Sequence, residues 1–249
     1  MEYPHLNNAP IVEAVVDFRV KLPPDFKIES FNKLCETLKT QYPRFEQQQQ
    51  IQHTFKTESE RPPKFSTRML GLHSYQLRSA DEKNVVQLRR DGFGFSRLTP
   101  YTKWEDLYGE AWRLWRLYID AAKPLELSRI AVRYINRLLL PLPIIDPSEY
   151  LNAPPVVAEG WPPNMSAFLT RVVLREPDSE TSINVIQAAE PLPPGEQTHI
   201  PVLFDIDAYQ ESLLSADDVT LTDRFGSLRE MKNRVFFKGV TPKTIELFR

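Results

Sequence analysis

Hydrophobic and polar residues alternate at the start of the chain, in the segment IVEAVVDFRV of residues 11–20. The even-numbered positions are all apolar, namely Val12, Ala14, Val16, Phe18 and Val20. Three of the odd-numbered positions carry charge, namely Glu13, Asp17 and Arg19. This period of two predicts a β-strand with one buried and one solvated face.

A helical period follows the strand. Apolar residues recur at helical spacing until Pro43, at Ile28, Phe31, Leu34, Cys35 and Leu38. This stripe predicts a helix over residues 27–41, with Asp25 as its N-cap. Cys35, the only cysteine, belongs to the stripe, so we expect a buried, inert thiol and neither a disulfide nor a multi-cysteine metal site.

The most regular helical pattern covers residues 103–122. One continuous stripe is formed by Trp104, Leu107, Tyr108, Ala111, Leu114, Trp115, Tyr118 and Ile119. Thr102 and Glu105 have the T-x-x-E spacing of a capping box at its start. We expect this helix to pack its aromatic stripe on the apolar face of a sheet.

Further strands are predicted on both sides of this helix. The glutamine-rich segment at 45–55 suits a polar edge strand, and the segment ERPPKF after it is expected to form a loop because proline cannot donate to a ladder. Residues 85–98 are expected to form a hairpin with a type I′ turn at Asp91-Gly92. Later strand patterns occupy residues 126–139, 168–176, 181–190 and 201–209.

Two helices are predicted at the end of the chain. Residues 218–237 place Leu221, Phe225, Leu228 and Met231 on one side. Thr241 and Pro242 then suit the N-cap and first turn of a short terminal helix.

The order of these elements predicts an α+β fold, a largely antiparallel sheet with helices packed on one face. We expect residues 1–249 to form a single domain. A proline-rich connection of about 25 residues follows the strand at 126–139, so the alternative is two subdomains, 1–140 and 165–249, joined by that connection.

Charge on the strand at 126–139 raises the main question about function. Arg129, Arg133 and Arg137 are four residues apart, so they share the face opposite Ile130, Val132 and Tyr134. One interpretation is an ion-pair ladder with Glu13 and Asp17 of the first strand. The other is an anion site, because guanidinium groups match phosphate oxygens. Candidate additional ligand-binding arginines lie on other predicted strands, namely Arg19, Arg89, Arg171 and Arg175.

Composition and motifs limit which partners, cellular location and cofactors we expect. A net charge of −2 and a pI near 6.1 give no global attraction to nucleic acid or membranes. The chain has no apolar run long enough to span a bilayer and no basic, apolar leader, so we expect a soluble cytoplasmic protein. His5, His53, His73 and His199 lack metal-ligand spacing, and no nucleotide-binding or hydrolase motif is found. No catalytic residue, metal ligand or cofactor is predicted.

Short motifs at the two ends resemble a known family. The first is Ala9, Pro10, Ile11, Glu13 and Ala14, and the second is Phe237 with Thr241. Together they resemble an uncharacterised, sporadically distributed bacterial protein family of about this length, with an N-terminal aPIxEa strand and a C-terminal FxxxT motif. The resemblance implies a free-standing bacterial cytoplasmic protein and transfers no catalytic residue.

These observations predict a binding or accessory protein that acts through a protein partner or a small anionic ligand. The ligand-binding residues predicted for it are Arg129, Arg133, Arg137, Arg19, Arg89, Arg171, Glu13 and Asp17. The alternative is a phosphate-ester or nucleotide-processing enzyme that uses the arginine-lined sheet face with a divalent metal held by Glu13 and Asp17. The sequence predicts no oligomeric state.

Overall fold

The computed structural model describes residues 3–58, 61–142, 146–162, 165–177, 179–189, 198–214 and 218–249. Its strands are β1 (Ile11–Lys21), β2 (Arg44–Glu58), β3 (Arg61–Arg78), β4 (Asn84–Arg89), β5 (Gly92–Leu98), β6 (Glu126–Pro141), β7 (Phe168–Arg175), β8 (Thr181–Ala189) and β9 (His199–Leu214). Its helices are α1 (Asn32–Leu38), α2 (Trp104–Ala122), α3 (Asp218–Gly239) and α4 (Pro242–Glu246). Two 3-10 turns span Ile28–Phe31 and Pro147–Glu149.

The nine strands form one antiparallel sheet in the order β2-β3-β4-β5-β1-β6-β9-β8-β7. The helices α2 and α3 pack on one face of the sheet, α2 against β1 and β5 and α3 against β6, β8 and β9. The predicted α+β class, with a largely antiparallel sheet and helices on one face, is therefore confirmed. Among the described residues, no helix is both long and apolar enough to cross a membrane.

The core lies between the sheet and its helices. Val16, Phe18 and Ile130 on the central strands have no exposed surface. Trp115 of α2 stacks on Phe18, with 4.1 Å between ring centroids, and is 2% exposed. The aromatic stripe of α2 is therefore core, as its period predicted. Cys35 is also buried, and burial raises the pKa of its thiol to about 11.

Two predicted helix caps are wrong. The α2 helix begins at Trp104 with Lys103 as its N-cap, and no side chain bonds to the cap, so Thr102 and Glu105 do not form a capping box. The first 3-10 turn begins after Lys27, which likewise has no side-chain cap, so Asp25 does not cap it. Thr241 does cap α4, because its side chain accepts a hydrogen bond from the Thr244 N–H.

The expected loop at ERPPKF is also wrong. Residues 61–65 belong to β3, whose pairing with β2 includes Phe55 opposite Phe65 and Glu58 opposite Arg61. The two prolines lie where the register shifts, between the pairs Lys56–Lys64 and Glu58–Arg61. A ladder tolerates proline at such an irregularity, since the missing N–H is not needed there. The assignment of β2 as an edge strand is correct.

The hairpin at 85–98 forms, but its turn lies one residue earlier than expected. Arg89 pairs with Gly92, so the connecting residues are Arg90 and Asp91. Neither has a positive φ angle, which a type I′ turn requires at both positions. Gly92 instead begins β5 with φ of 155°, where an added Cβ would lie 2.0 Å from the Phe18 carbonyl oxygen.

Candidate functional site

The arginines of β6 lie on the face of the sheet opposite the helices. Arg133 is 46% exposed and Arg129 is 19% exposed. Ile130 and Val132 are fully buried, and Tyr134 is 1% exposed, beneath the helices. The predicted strand facing is therefore correct, because alternate side chains of a strand must point to opposite faces.

Asp17 of β1 is the centre of a charge cluster on this open face. Its carboxylate accepts hydrogen bonds from Arg89 of β4, from Arg19 Nε at 3.1 Å, and from Arg129 Nη1 at 3.4 Å. Gly94 stands opposite Asp17 on β5, and an added Cβ there would lie 2.9 Å from Arg89 Nη1. The absence of a side chain at Gly94 therefore lets Arg89 reach across β5 to Asp17.

Two acids of β9 complete the cluster. Arg129 Nη2 donates to Asp207 Oδ2 at 2.8 Å. Arg133 makes a bidentate pair with Asp205, with Nε and Nη2 donating to the two oxygens at 2.9 and 2.6 Å. Burial raises the pKa of Asp207, and the two arginines oppose that effect. Sequence reasoning missed both aspartates, although their alternation in the segment FDID showed that they share a face.

We name this region the arginine–aspartate face. Its cations are Arg19, Arg89, Arg129 and Arg133, and its paired acids are Asp17, Asp91, Asp205 and Asp207. The four arginines, Asp17 and Asp207 line a shallow depression of about 430 Å³ on the sheet, which Glu13 also lines. Each cation has at least one carboxylate within 4 Å, the usual limit of an ion pair. The ladder interpretation is therefore correct, with Asp17 as one of its acids.

Three of the predicted residues do not join these ion pairs. Glu13 makes no ion pair with any described residue, so its predicted direct pairing with a β6 arginine is wrong, although its charge contributes to raising the pKa of Arg133. Arg137 is exposed further along β6, away from the residues that line the depression. Arg171 lies on the edge strand β7, where its Nε donates to Asn184 at 2.8 Å. Ligand binding by any of the eight predicted residues stays a prediction.

A second region lies on the helix-covered side of β6, which sequence reasoning did not identify. It is a cavity of about 330 Å³ between the N-terminal segment, the start of α2, β6 and α3, and we name it the lysine pocket. Its aromatic and apolar walls include Tyr101, Trp104, Tyr134, Phe236 and Phe237. Tyr3 closes one side, stacking on Phe237 at 4.9 Å and donating to Glu230 at 2.9 Å.

Lys232 of α3 projects its ammonium group onto the floor of this pocket. Its Nζ lies 3.8 Å from the centroid of the Tyr134 ring. No carboxylate of the described residues lies within ion-pair distance of it. Burial, and secondarily the neighbouring charge of Arg229, lower the pKa of Lys232 to about 7.

Two hydroxyl groups and two further cations line the same pocket. The Tyr101 and Tyr134 hydroxyls are hydrogen-bonded to each other at 2.8 Å. Burial raises the pKa of both, so both stay protonated at neutral pH. Arg229 lies 5.5 Å from the centroid of the Trp104 ring and 3.5 Å from the exposed Glu105. Lys103 is 3.6 Å from the exposed Asp106.

The lining of the lysine pocket is positively charged. Its basic residues are His5, Lys103, Arg229 and Lys232, and no aspartate or glutamate is among the described residues that line it. The sequence did contain a signal for Lys232. The buried positions Leu221, Phe225 and Leu228 are spaced by four and three residues, and four more residues lead to Lys232. A lysine on a buried helical stripe is unusual because burial disfavours its charge.

Residues of the two terminal motifs meet at this pocket. Ala9, Pro10, Ile11 and Phe237 all line it, although the two motifs are more than two hundred residues apart along the chain. Thr241 does not line it and instead caps α4.

A metal centre has little support from the donor groups. No group of three or more His, Cys, Asp or Glu residues is arranged to hold a metal ion within the described part of the chain. Glu13 and Asp17 therefore lack a third donor for the divalent cation of the alternative prediction. No protein-family model matches the chain, and no curated protein matches it significantly.

Proposed function

We propose that this protein binds a small organic anion in the lysine pocket, and so acts as a binding or accessory protein. The observation that carries the proposal is Lys232, a cation inside a cavity whose described lining residues include basic side chains and no acidic ones. A desolvated cation without a counterion is costly. A carboxylate or phosphate group in the pocket offsets that cost and forms charge-assisted hydrogen bonds.

The aromatic lining of the lysine pocket indicates what the uncharged part of the ligand is. Aromatic side chains surround the basic groups, and Trp104 and Phe236 are both less than 10% exposed. The cavity of about 330 Å³ is at the small end of the range for ligand sites. We therefore expect a compact ligand with one anionic group and one apolar or aromatic body.

The arginine–aspartate face is less suited to an anion. A ligand there competes with carboxylates that already occupy the guanidinium groups, such as the bidentate Asp205 on Arg133. This is the physical reason to move the predicted anion site from the sheet face to the lysine pocket. The phosphate-processing enzyme stays the alternative: the depression lined by Glu13, Asp17 and the arginines is in its favour, and the ion pairs that occupy those arginines are against it. The bacterial family and the cytoplasmic location stay predictions on which the proposal does not depend.

Thermal-shift and calorimetric titrations at pH 6.5 test the proposal. The probes are benzoate and phenylphosphate, with benzyl alcohol as an uncharged match and a nucleotide with Mg²⁺ for the enzyme alternative. At about one hundred times Kd, binding adds about 2.7 kcal/mol, which raises the Tm of a chain this size by about 5–10 °C.

Two variants locate the site. Lys232→Met should weaken benzoate binding by about 10–100-fold, because a charge-assisted hydrogen bond contributes about 1.5–3 kcal/mol. Arg133→Met is the matched control on the sheet face, and it should leave the Kd for benzoate within about twofold once each variant is compared with its own unliganded Tm. Loss of binding in Arg133→Met alone, or a shift only with nucleotide and Mg²⁺, overturns the proposal.

A further inference from the structure

The amine of Lys232 has chemistry that simple anion binding does not require. It lies in a cavity beside two protonated hydroxyl groups, and no carboxylate among the described residues is close enough to hold it as an ammonium ion. A lysine that only attracts anions functions equally well at the rim of a site, where water stabilises its charge. Placement on the pocket floor favours the neutral amine, which is a nucleophile.

We propose that Lys232 forms a reversible imine with the carbonyl group of an anionic ligand, and that 2-oxo acids are therefore the ligand class of the lysine pocket. The inference rests on the proposed function, since the same basic groups hold the ligand's carboxylate. Arg229 and Lys103 line the pocket together with Lys232, and their ion-pair partners Glu105 and Asp106 are exposed to solvent. Exposed ion pairs are weak, so either cation can exchange its partner for the ligand's carboxylate while the amine meets the adjacent carbonyl carbon.

The neutral amine is abundant in this setting. With a pKa of about 7, roughly half of the Lys232 side chains are neutral at neutral pH. An ordinary lysine, with a pKa of about 10.4, is neutral in roughly one molecule in 2,500 at the same pH. Desolvation beside a second cation is a recognised way to activate a lysine for imine formation.

The reaction is balanced without an oxidant or a reductant. The amine nitrogen attacks the carbonyl carbon, the carbonyl π electrons move to oxygen, and one proton passes from nitrogen to that oxygen to give a carbinolamine. The hydroxyl group then takes up a proton and leaves as water while the nitrogen lone pair forms the C=N bond, and the resulting protonated imine returns its remaining N–H proton to the group that supplied the first. The Tyr101–Tyr134 hydroxyl pair is the nearby proton donor for that departure, since the Tyr134 hydroxyl is attached to the ring beneath the amine. Water reverses both steps.

Reductive trapping tests the imine directly. The full-length protein is incubated with phenylpyruvate and cyanoborohydride, which reduces an imine to a stable secondary amine, and peptides are mapped by mass spectrometry. We expect one adduct whose mass gain equals that of the ligand less one oxygen atom, on Lys232. Its yield should exceed that of any other lysine by about tenfold or more, because the neutral fractions differ by more than that. Equal labelling across lysines, or no labelling, overturns the proposal.

Variants and an unreactive analogue separate this proposal from the proposed function. Lys232→Arg keeps a cation but cannot form an imine, so its adduct at this site should disappear, whereas Lys238→Arg, an exposed position on the same helix, should keep full labelling of Lys232. If Lys232→Arg does not fold, the peptide map of the wild-type protein still shows whether the adduct forms on Lys232. Phenyllactate has a hydroxyl group in place of the carbonyl. If it binds in the pocket but phenylpyruvate leaves no adduct, the imine is wrong and anion binding stands. If neither ligand binds, both proposals fail.

The pH dependence of trapping and of binding is a second way to distinguish imine formation from simple anion binding. Trapping should increase as pH rises through about 7 because it needs the neutral amine, whereas phenyllactate affinity should decrease because it needs the ammonium. The other titratable groups that line this pocket are His5, Tyr3, Tyr101, Lys103, Tyr134 and Arg229. Histidine is the other side-chain type that changes charge near neutral pH, so the profiles are measured in His5→Gln as well. Loss of this basic lining residue should weaken phenyllactate binding but leave the two profiles opposite in direction. Parallel profiles for the two ligands contradict the imine.

Discussion

Two neighbouring residues of β6 connect the two regions of this molecule: Arg133 lies on the open face of the sheet and Tyr134 forms the floor of the lysine pocket. Both regions gather basic side chains around a depression or a cavity. On the open face, carboxylates from β1 and β9 lie against the guanidinium groups. In the pocket, Lys232 lies against an aromatic ring and meets no described carboxylate. The placement of acids, more than the number of cations, therefore separates a structural cluster from a candidate anion site.

The difference also has an energetic meaning. A paired charge is stabilised by its partner, and removing one partner leaves the other charge buried and uncompensated. An unpaired charge destabilises the fold that desolvates it, and removing it relieves that cost. Opposite signs of stability change are therefore expected for charge removal in the two regions.

The largest effect should come from the core that both regions share. Trp115→Ala removes the ring that stacks on Phe18, directly beneath the arginine–aspartate face, and should lower the free energy of unfolding by about 3–5 kcal/mol. Equilibrium urea unfolding measures it, with Trp161→Ala as the exposed control, which should change stability by less than about 0.5 kcal/mol. A loss below about 1 kcal/mol at Trp115 contradicts its place in the core.

The next effect should come from the centre of the arginine–aspartate face. Asp17→Ala leaves Arg89 and Arg129 without a shared partner and should cost about 2–4 kcal/mol, somewhat less than for a fully buried pair because the carboxylate is 13% exposed. Glu13→Ala is the matched control on the same strand and face, and without an ion pair it should cost less than about 0.5 kcal/mol. Equal losses in the two variants, measured by urea unfolding, contradict the ladder.

The lysine pocket should respond with the opposite sign. Lys232→Met replaces an uncompensated charge with an apolar side chain of similar length, and should stabilise the protein by about 1–2 kcal/mol at pH 7 and below. The lowered pKa means that between about pH 7 and the ordinary lysine value of about 10.4 the unfolded chain binds the proton and the folded chain does not. The free energy of unfolding of the wild type should therefore increase relative to that of the variant as pH rises, by up to about 1.4 kcal/mol per pH unit.

Urea unfolding of the wild type and of Lys232→Met from pH 6 to about pH 10 measures how their stability difference changes with pH. Taking the difference cancels the titration of all groups that the two proteins share. Lys238→Met is the exposed control on α3 and should show no slope relative to wild type. A loss of stability in Lys232→Met that is the same at every pH means that Lys232 is held by contacts that do not depend on its charge.

Much of this architecture was accessible from local patterns in the sequence. The period of two placed Arg129 and Arg133 opposite Ile130, and the helical period identified the core stripe of α2, because both periods are fixed by backbone geometry. The same reasoning failed at Pro62 and Pro63, since whether a proline disrupts a strand depends on the register of its neighbour. The capping box failed because its spacing is short and the helix begins one residue later than the motif requires.

The site depended on long-range pairing, which local patterns do not specify. Asp205 and Asp207 meet Arg133 and Arg129 only because β9 lies beside β6, more than seventy residues away in sequence for either ion pair. Lys232 has the spacing of the buried stripe of α3, which the sequence shows. Its place in a pocket follows from the packing of α3 over Tyr134 and beside the N-terminal segment, which local patterns do not specify. The charge on each strand face was predictable, whereas its compensation by distant acids was not.

The central claim is that Lys232 meets no carboxylate of the described part of the chain until an anion enters the pocket. NMR titration of protein labelled with ¹³C and ¹⁵N in its lysines follows the Cε and Nζ signals of Lys232, which Lys232→Met assigns by their disappearance. We predict a titration near the pKa of about 7 in the free protein and an upward shift of about one unit or more with saturating benzoate, because an opposite charge favours the protonated amine. A titration near about 10.4, the ordinary lysine value, that benzoate does not move would contradict the account.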